Sequence, residues 1–598
     1  MKRCPECRRD YYDDSLLYCL EDGNALVQGS VPSPDEPQTA ILSEPPASAG
    51  GQAAGENPTR AFVHATAEAE PRSGLGEASE KQSFSANRAA EPQVVGERVS
   101  EKRSFSARRM KAILFALGFA VIVLGGFFGY RYFNANTNQI ESIAVMPFVN
   151  ESGNAEVEYL SDGMTETLIG SLSRIPDLSV KARSSVFRYK GKETAAQTIG
   201  KELNVQALLT GRVLQRGGQT TVTLELVDAS TENAIWSERY SRKEADVVAM
   251  MADIARDVSR QLKTRLSGAD QTNVTKSYTS NSEAYQLYLK GRSQWNRRTV
   301  DSLKQAAEFY KQAIEKDPNY ARAYGGLAET YVIYAIYAVS PPSESMPKAK
   351  AMAMRALEID DSLADAHAAL GNYYAEYEHD WANAEREFRK AIELDPNYAT
   401  AYQWLGNSVL APTKRFDEAL VALRRAEELD PLSPVIGTNL TDTLVYMRQY
   451  DEAIAKYKGV LALEPNFAFG RFAIGWAYYA NGAYPEAIAE YRRSLEISYD
   501  PQTNGFMAAA LAKAGQREEA ASILERLRED SLKHYVPNIA IAVACSGIGQ
   551  KSEAMDWLEK GVTAREPYVT WLAVDPAYDD LRTEPRFKEL LKKLNLPE

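Results

Sequence analysis

The sequence predicts a multidomain chain. An all-α solenoid of stacked helix pairs is preceded by a small mixed α/β domain, one transmembrane helix and a short cysteine-bearing segment. Three observations predict it. An acid–proline turn recurs through the C-terminal half, and its last two intervals are 35 and 34 residues. A charge-free apolar run occupies residues 112–130. Between them, apolar alternation flanks Gly217-Gly218, as in a hairpin. The length of 598 residues suits three to five units at roughly 100–200 residues each. Lys+Arg is 69 and Asp+Glu is 81, a net charge of −12. This balance argues against a general nucleic-acid-binding surface, and we expect no nucleic-acid partner. Four cysteines exclude a disulfide scaffold, and four histidines leave little for a His-based metalloenzyme.

Residues 1–29 hold Cys4-Pro5-Glu6-Cys7, then Cys19, with Asp22 where a fourth cysteine would stand. Tetrahedral zinc wants four thiolate, imidazole or carboxylate ligands. The segment resembles the short zinc ribbons at the N-termini of bacterial multidomain proteins. That resemblance implies Zn2+ on Cys4, Cys7 and Cys19 with Asp22. Water, Glu21 or a second chain are the alternatives for the fourth place. A redox Cys-x-x-Cys is the rival, but it needs a preceding strand, and only three residues precede Cys4. Residues 30–107 are rich in Pro, Ala, Ser, Glu and Gly without apolar periodicity. They read as a disordered linker, because such a composition cannot offset its ordering entropy.

The run at 112–130, extended to 111–132, predicts a membrane-spanning helix. Lys102, Arg103, Arg108, Arg109 and Lys111 precede it, and Arg131 alone follows closely. The positive-inside rule then predicts single-pass placement in the inner membrane. The N-terminus would be cytoplasmic and the C-terminal domains periplasmic or otherwise extracytoplasmic. Gly125 and Gly129 give a GxxxG spacing, a candidate contact for homo-oligomers.

Residues 138–268 read as the α/β domain. Ile143–Phe148 and Leu178–Val180 are strand candidates. Ala207–Leu214 and Thr221–Val227 form the hairpin, and Ala234–Tyr240 adds a strand. Helices are expected after Tyr159, capped by Ser161 or Asp162, over Thr194–Leu203, and from Ala245 to about Leu266. Pro147-Phe148, Asp162-Gly163, Leu209-Thr210-Gly211 and Trp236-Ser237 resemble the TolB N-terminal-like domain. Bacteria place that domain between a transmembrane helix and helical repeats. The resemblance implies binding or assembly, not a reaction.

From 281 to 598 the chain repeats. Pro318, Pro396, Pro431 and Pro465 end the turns, and Asp361 stands in the equivalent place between the first two. Tyr402-Leu405-Gly406 and Ala384-Phe388-Ala391 show the large–small pattern inside each unit. This resembles the tetratricopeptide repeat, whose packing positions these are. About eight units fit between Asn281 and Pro567. Gly371, Gly406 and Gly475 would let the paired helices approach, and Phe388 and Tyr457 would fill the gap to the next pair. His367 reads as a packing residue, His379 as a loop residue and Cys545 as a buried thiol. Residues 574–594 resemble the closing segment of such proteins, expected to cap the last pair.

Enzyme signatures are absent: no GxxxxGK[ST], HExxH, GxSxG, GxGxxG or kinase set occurs. The leading expectation is a non-enzymatic, membrane-anchored scaffold binding proteins or peptides through extracytoplasmic repeats. One alternative is a transmembrane transducer that couples outer sensing to a cytoplasmic partner. Another is an enzyme with an unrecognised site in residues 140–268. On the inner face of the first helices, polar residues fall between the packing positions. They are Asn372 and Glu376, Gln403 and Asn407, then Asn439 and Asp442, and they are the candidate protein-binding residues.

Overall fold

The structure is a computed structural model. It describes residues 140–262 and 268–598, with three two-residue strands nearer the N-terminus. These are β1 (Lys2–Arg3), β2 (Asp10–Tyr11) and β3 (Val27–Gln28), antiparallel in the order β2-β1-β3. The zinc set Cys4, Cys7, Cys19 and Asp22 lies outside the described residues, as do the linker and the expected span over 111–132.

Two expectations are corrected. Among the described residues no helix is long and apolar enough to cross a membrane. Membrane anchoring, single-pass topology and transmembrane signalling therefore have no element to rest on among the described residues and are withdrawn. Among the same residues no group of three His, Cys, Asp or Glu could hold a metal; the zinc-ribbon resemblance finds no counterpart there, and its ligand set lies outside the residues described. What is described is an α/β domain joined to an α-solenoid.

The α/β domain is built on six further strands: β4 (Ser142–Val145), β5 (Val149–Asn150), β6 (Ser179–Val180), β7 (Ala207–Arg216), β8 (Gln219–Asp228) and β9 (Ala234–Lys243). Their order is β6-β4-β7-β8-β9, with β5 also on β7. β4 pairs in parallel with β6 and β7, which demands crossovers; helices α1 (Glu158–Leu172), α2 (Arg183–Phe187) and α3 (Ala196–Leu203) supply them. β7, β8 and β9 form an antiparallel meander. Gly217 and Gly218 both take positive φ (60° and 75°), the geometry of a tight hairpin turn whose twist suits the strands. Inward residues alternate with outward ones on β8, where Val222, Leu224 and Leu226 are fully buried. Helix α4 (Val247–Gln261) closes the domain.

The expected cap of α1 differs. The helix starts at Glu158, so Ser161 and Asp162 lie inside it. The Ser161 hydroxyl donates to the Glu158 carbonyl, and Asp162 pairs with Lys190.

The solenoid has eight helix pairs among the described residues, from Ser282–Trp295 to Lys551–Thr563. The third and sixth pairs close at a glycine. A Cβ placed on Gly371 would lie 2.7 Å from the Phe388 ring, and one on Gly475 2.7 Å from Tyr491. The stack buries these aromatics completely, which one pair alone could not do. His367 is held by the Glu387 carboxylate at 2.7 Å, and Cys545 is buried.

The α/β domain does not hang free. One apolar cluster runs from Ile143 through α1 into the repeats as far as Ala422. The acids of successive inter-repeat turns line one edge, and the domain and its connector meet them in turn. Thr279 donates to Asp317, and Lys276 to Asp360 at 2.8 Å. Ser173 donates to Asp395 at 2.7 Å, Ser184 and Ser185 donate to Asp430, and Arg188 pairs with Glu464. Buried Asn397 donates from Nδ2 to the Ser173 and Leu178 carbonyls, both at 2.8 Å. Burial pushes the Asp395 and Asp430 carboxyls up, against the pull of their hydroxyl partners.

Candidate functional site: the inner face of the solenoid

The first helices of the third and fourth pairs depart from α geometry. Residues Tyr373–Glu378 and Leu405–Leu410 are π-helical. In the second stretch the Ala411 N–H donates to the Gly406 carbonyl, five residues back. The Asn407 carbonyl therefore loses its α-helical donor. Its next available partner would be residue 412, a proline without an N–H. That orphaned carbonyl accepts from Trp571 Nε1 at 3.1 Å.

Trp571 belongs to a strap. After the last helix pair, two 3-10 turns (Pro567–Trp571 and Pro576–Leu581) and a helix (Pro585–Lys593) follow. The helix packs partly on the last pair, where Arg586 pairs with Asp556 and Glu559. The strap as a whole reaches much further than the end cap expected from sequence. Trp381 Nε1 donates to the Leu594 carbonyl at 3.0 Å, and Lys414 donates to the Glu598 carbonyl. Arg448 donates to the Val574 carbonyl at 2.7 Å and pairs with Asp579. Trp476 Nε1 donates to Asp575 at 3.0 Å. Side chains from four consecutive repeats thus grip one segment.

The candidate residues sit beneath or beside it. Glu376 is buried and accepts from the Thr570 hydroxyl at 3.3 Å. Gln403 donates to Asn439 at 2.8 Å, Asn439 donates to Asp442 at 3.0 Å, and Tyr457 donates to the other Asp442 oxygen. Gln403, Asn439 and Asp442 therefore form one hydrogen-bonded line across two repeats. Asn407 is half-buried and offers its main-chain carbonyl. Asn372 is fully buried, and nothing in the structure pairs its amide. The end cap expected over 574–594 covers part of the strap but not its reach across the repeats, although the density of Trp, Tyr and Asp in 568–580 is unlike a solvated tail.

Electrostatics follow from this roofing. Burial pushes the Glu376 carboxyl up to about 8, so it is mostly protonated at neutral pH. Burial also raises Asp442 to about 7 and Asp575 to about 6. The face beneath the strap is thus less negative than its composition suggests. Trp571→Phe keeps the ring but strands the Asn407 carbonyl, a loss of about 1–3 kcal/mol. Hydrogen exchange should show faster opening around 405–411, and unchanged exchange there would refute the contact.

Comparisons with known proteins bear on both parts. A model of the second domain of HilA/YgeH-like transcriptional regulators matches residues 138–256. It replaces the TolB N-terminal-like resemblance expected for this domain. A tetratricopeptide-repeat model matches residues 373–434 and 439–501. The Rhizobium meliloti protein "Putative adenylate cyclase 3" is 30% identical over 232 residues, covering 38% of this chain and 39% of that protein. The transcriptional regulator HilA of Salmonella typhimurium is 24% identical over 170 residues, 28% of this chain and 30% of HilA. The matched regions thus span well under half of either curated relative. Among solved structures, Pseudomonas aeruginosa PilF matches at 25% identity and a TM-score of 0.28, over 36% of this chain and 94% of PilF. The tetratricopeptide protein YrrB matches at 23% identity and a TM-score of 0.23, over 32% of this chain and 94% of YrrB.

Proposed function

We propose that the chain is a non-catalytic scaffold that receives a segment of another protein on the inner face of its repeats. The observation that carries this reading is the strap. Residues 565–598 are a chain segment seated on that face, held through carbonyls and an aspartate by Trp381, Arg448, Trp476 and their neighbours. A face that holds one such segment has the chemistry to hold another, and solenoids present such faces as extended binding surfaces. A fitting partner carries aromatic side chains and an aspartate that caps a short turn, as Asp575 does. The strap is then a built-in competitor. One relative is named for a cyclase and one for transcriptional regulation, and a regulatory setting for the scaffold is in keeping with both names.

The test compares the wild-type full chain with a strap-loosened Trp571→Ala/Asp579→Ala chain, in which both changes fall on the strap and leave the receiving face intact. A labelled peptide of residues 565–583 should bind the loosened chain at least about tenfold more tightly, equivalent to about 1.4 kcal/mol. Proteins captured by the loosened chain should be released by the same peptide. Equal peptide binding by both chains, with capture indifferent to the peptide, would take the groove out of the reading.

Zinc on Cys4, Cys7, Cys19 and Asp22 is a separate proposal, supported only by ligand type and spacing. Metal analysis of the reduced full chain should give about one zinc, lost in Cys7→Ser and weakened in Asp22→Ala. A metal-free wild-type chain refutes it.

A further inference from the structure

Where the strap leaves the fifth to seventh repeats, it roofs a cavity of about 70 Å³. Its walls are aromatic on both sides: Phe472, Trp476 and Phe506 from the repeats, and Tyr568, Trp571 and Tyr578 from the strap. Two carboxylates, Asp442 and Asp575, share the lining, and no lining residue is basic.

Two further lining groups have no partner of their own. Gln502 is only 7% exposed, and its Oε1 accepts no hydrogen bond. Asn407 Oδ1 is likewise buried and unpaired. Leaving such acceptors unmade costs free energy that a ligand with N–H donors would recover.

These features select one ligand chemistry. An anion would meet two carboxyl groups and a lining of eight aromatic residues. A neutral apolar group would suit the rings but leave Gln502 and Asn407 unpaired. A cation with several N–H donors suits all three: the aromatic lining attracts it, its charge draws the burial-raised Asp442 and Asp575 to their ionised forms, which neutralise it, and the amide oxygens accept from it. The volume admits the head of a side chain or a small amine, not a larger ligand.

We infer that this cavity binds an alkylammonium group, brought either by a lysine side chain of a segment docked in the groove or by a free amine. Only the lysine source rests on the proposed scaffold function; the site itself does not.

Isothermal titration of the full chain tests it, with n-butylammonium chloride as the probe and 1-butanol as its neutral match. The ammonium should bind with a dissociation constant of about 1 mM and at least about tenfold more tightly than the alcohol. Asp575→Asn keeps an acceptor for Trp476 and for the Ala577 N–H, because asparagine caps as aspartate does. It should weaken the ammonium at least about tenfold. Gln502→Leu removes an acceptor that has no partner, so the melting curve should stay put or rise while ammonium affinity falls. Butanol binding as well as butylammonium, or both variants leaving ammonium affinity unchanged, overturns the site. An acetyl-Gly-Gly-Lys-Gly-Gly-amide peptide that binds more tightly than butylammonium, with its norleucine counterpart inactive, assigns the lysine source. A peptide weaker than butylammonium assigns the free amine. Failure of the 565–583 peptide experiment would sink the groove reading and leave this titration intact.

Discussion

Arg292→Met should destabilise the protein by about 3–5 kcal/mol, the cost typical of removing one partner from a buried ion pair. Arg292 stands in the first repeat, where the α/β domain meets the solenoid. Its guanidinium spans two carboxylates: Glu166 of α1 at 2.6 Å and Glu329 of the second repeat at 2.9 Å. Glu166 also accepts from Asn296 and pairs with Arg183, and Glu329 accepts from Tyr398. Burial raises the Glu166 carboxyl, but Arg292 and Arg183 more than offset it, leaving it below the usual range. Burial wins at Glu329, which is held above that range. Without Arg292, Glu166 keeps only Arg183 and Asn296, and Glu329 keeps only the Tyr398 hydroxyl and the field of Arg298. Adding Glu166→Gln and Glu329→Gln should restore at least half of the loss. Urea unfolding of the single and triple variants decides it, and a single-variant loss under about 1 kcal/mol would show that the pair is not held as described.

Phe388→Ala should cost a similar amount, about 3–5 kcal/mol, by the deleted contacts and the cavity left behind. The ring is fully buried, sits on Gly371 of its own pair and faces Trp404 of the next at a centroid distance of 6.4 Å. Collapse into the void is opposed from both sides, because Gly371 has no side chain to move in and Trp404 is itself packed. Phe388→Leu should cost clearly less. Melting curves for the two variants test this, and equal small losses would mean that the gap closes by helix movement.

The local features of this fold were legible and the distant ones were not. Period and residue size reveal Gly371 against Phe388, because both lie within one helix pair. Paired glycines reveal the β7–β8 turn, because backbone sterics act over two residues. The docking of Ser173, Ser184 and Lys276 on turn acids leaves no such mark. Each partner lies scores of residues away, and an acid before proline reads as ordinary turn chemistry. The strap is the clearest case. Spacing tells which side of a helix Glu376, Gln403 or Asp442 occupies; it does not tell what lands on that side. The π-helical stretches were also beyond reach, although Pro412 marks the point where a helix following Asn407 must run short of donors. The cap assigned to Ser161 or Asp162 failed for a related reason: both residue types also serve inside a helix, one donating to Glu158 and the other pairing with Lys190.

Arrays of this kind usually change length in evolution by gaining or losing whole repeats, since each unit touches only its neighbours. The row of turn acids removes that freedom here. Thr279, Lys276, Ser173, Ser184 and Arg188 meet five successive turns, so the α/β domain acts as a fixed ruler laid along the first five pairs. Deleting one repeat among them would shift every later acid by one place and leave the serines facing the wrong turn. Repeat number in this lineage should therefore drift only beyond Glu464, and even there the strap must be long enough to return to Trp381.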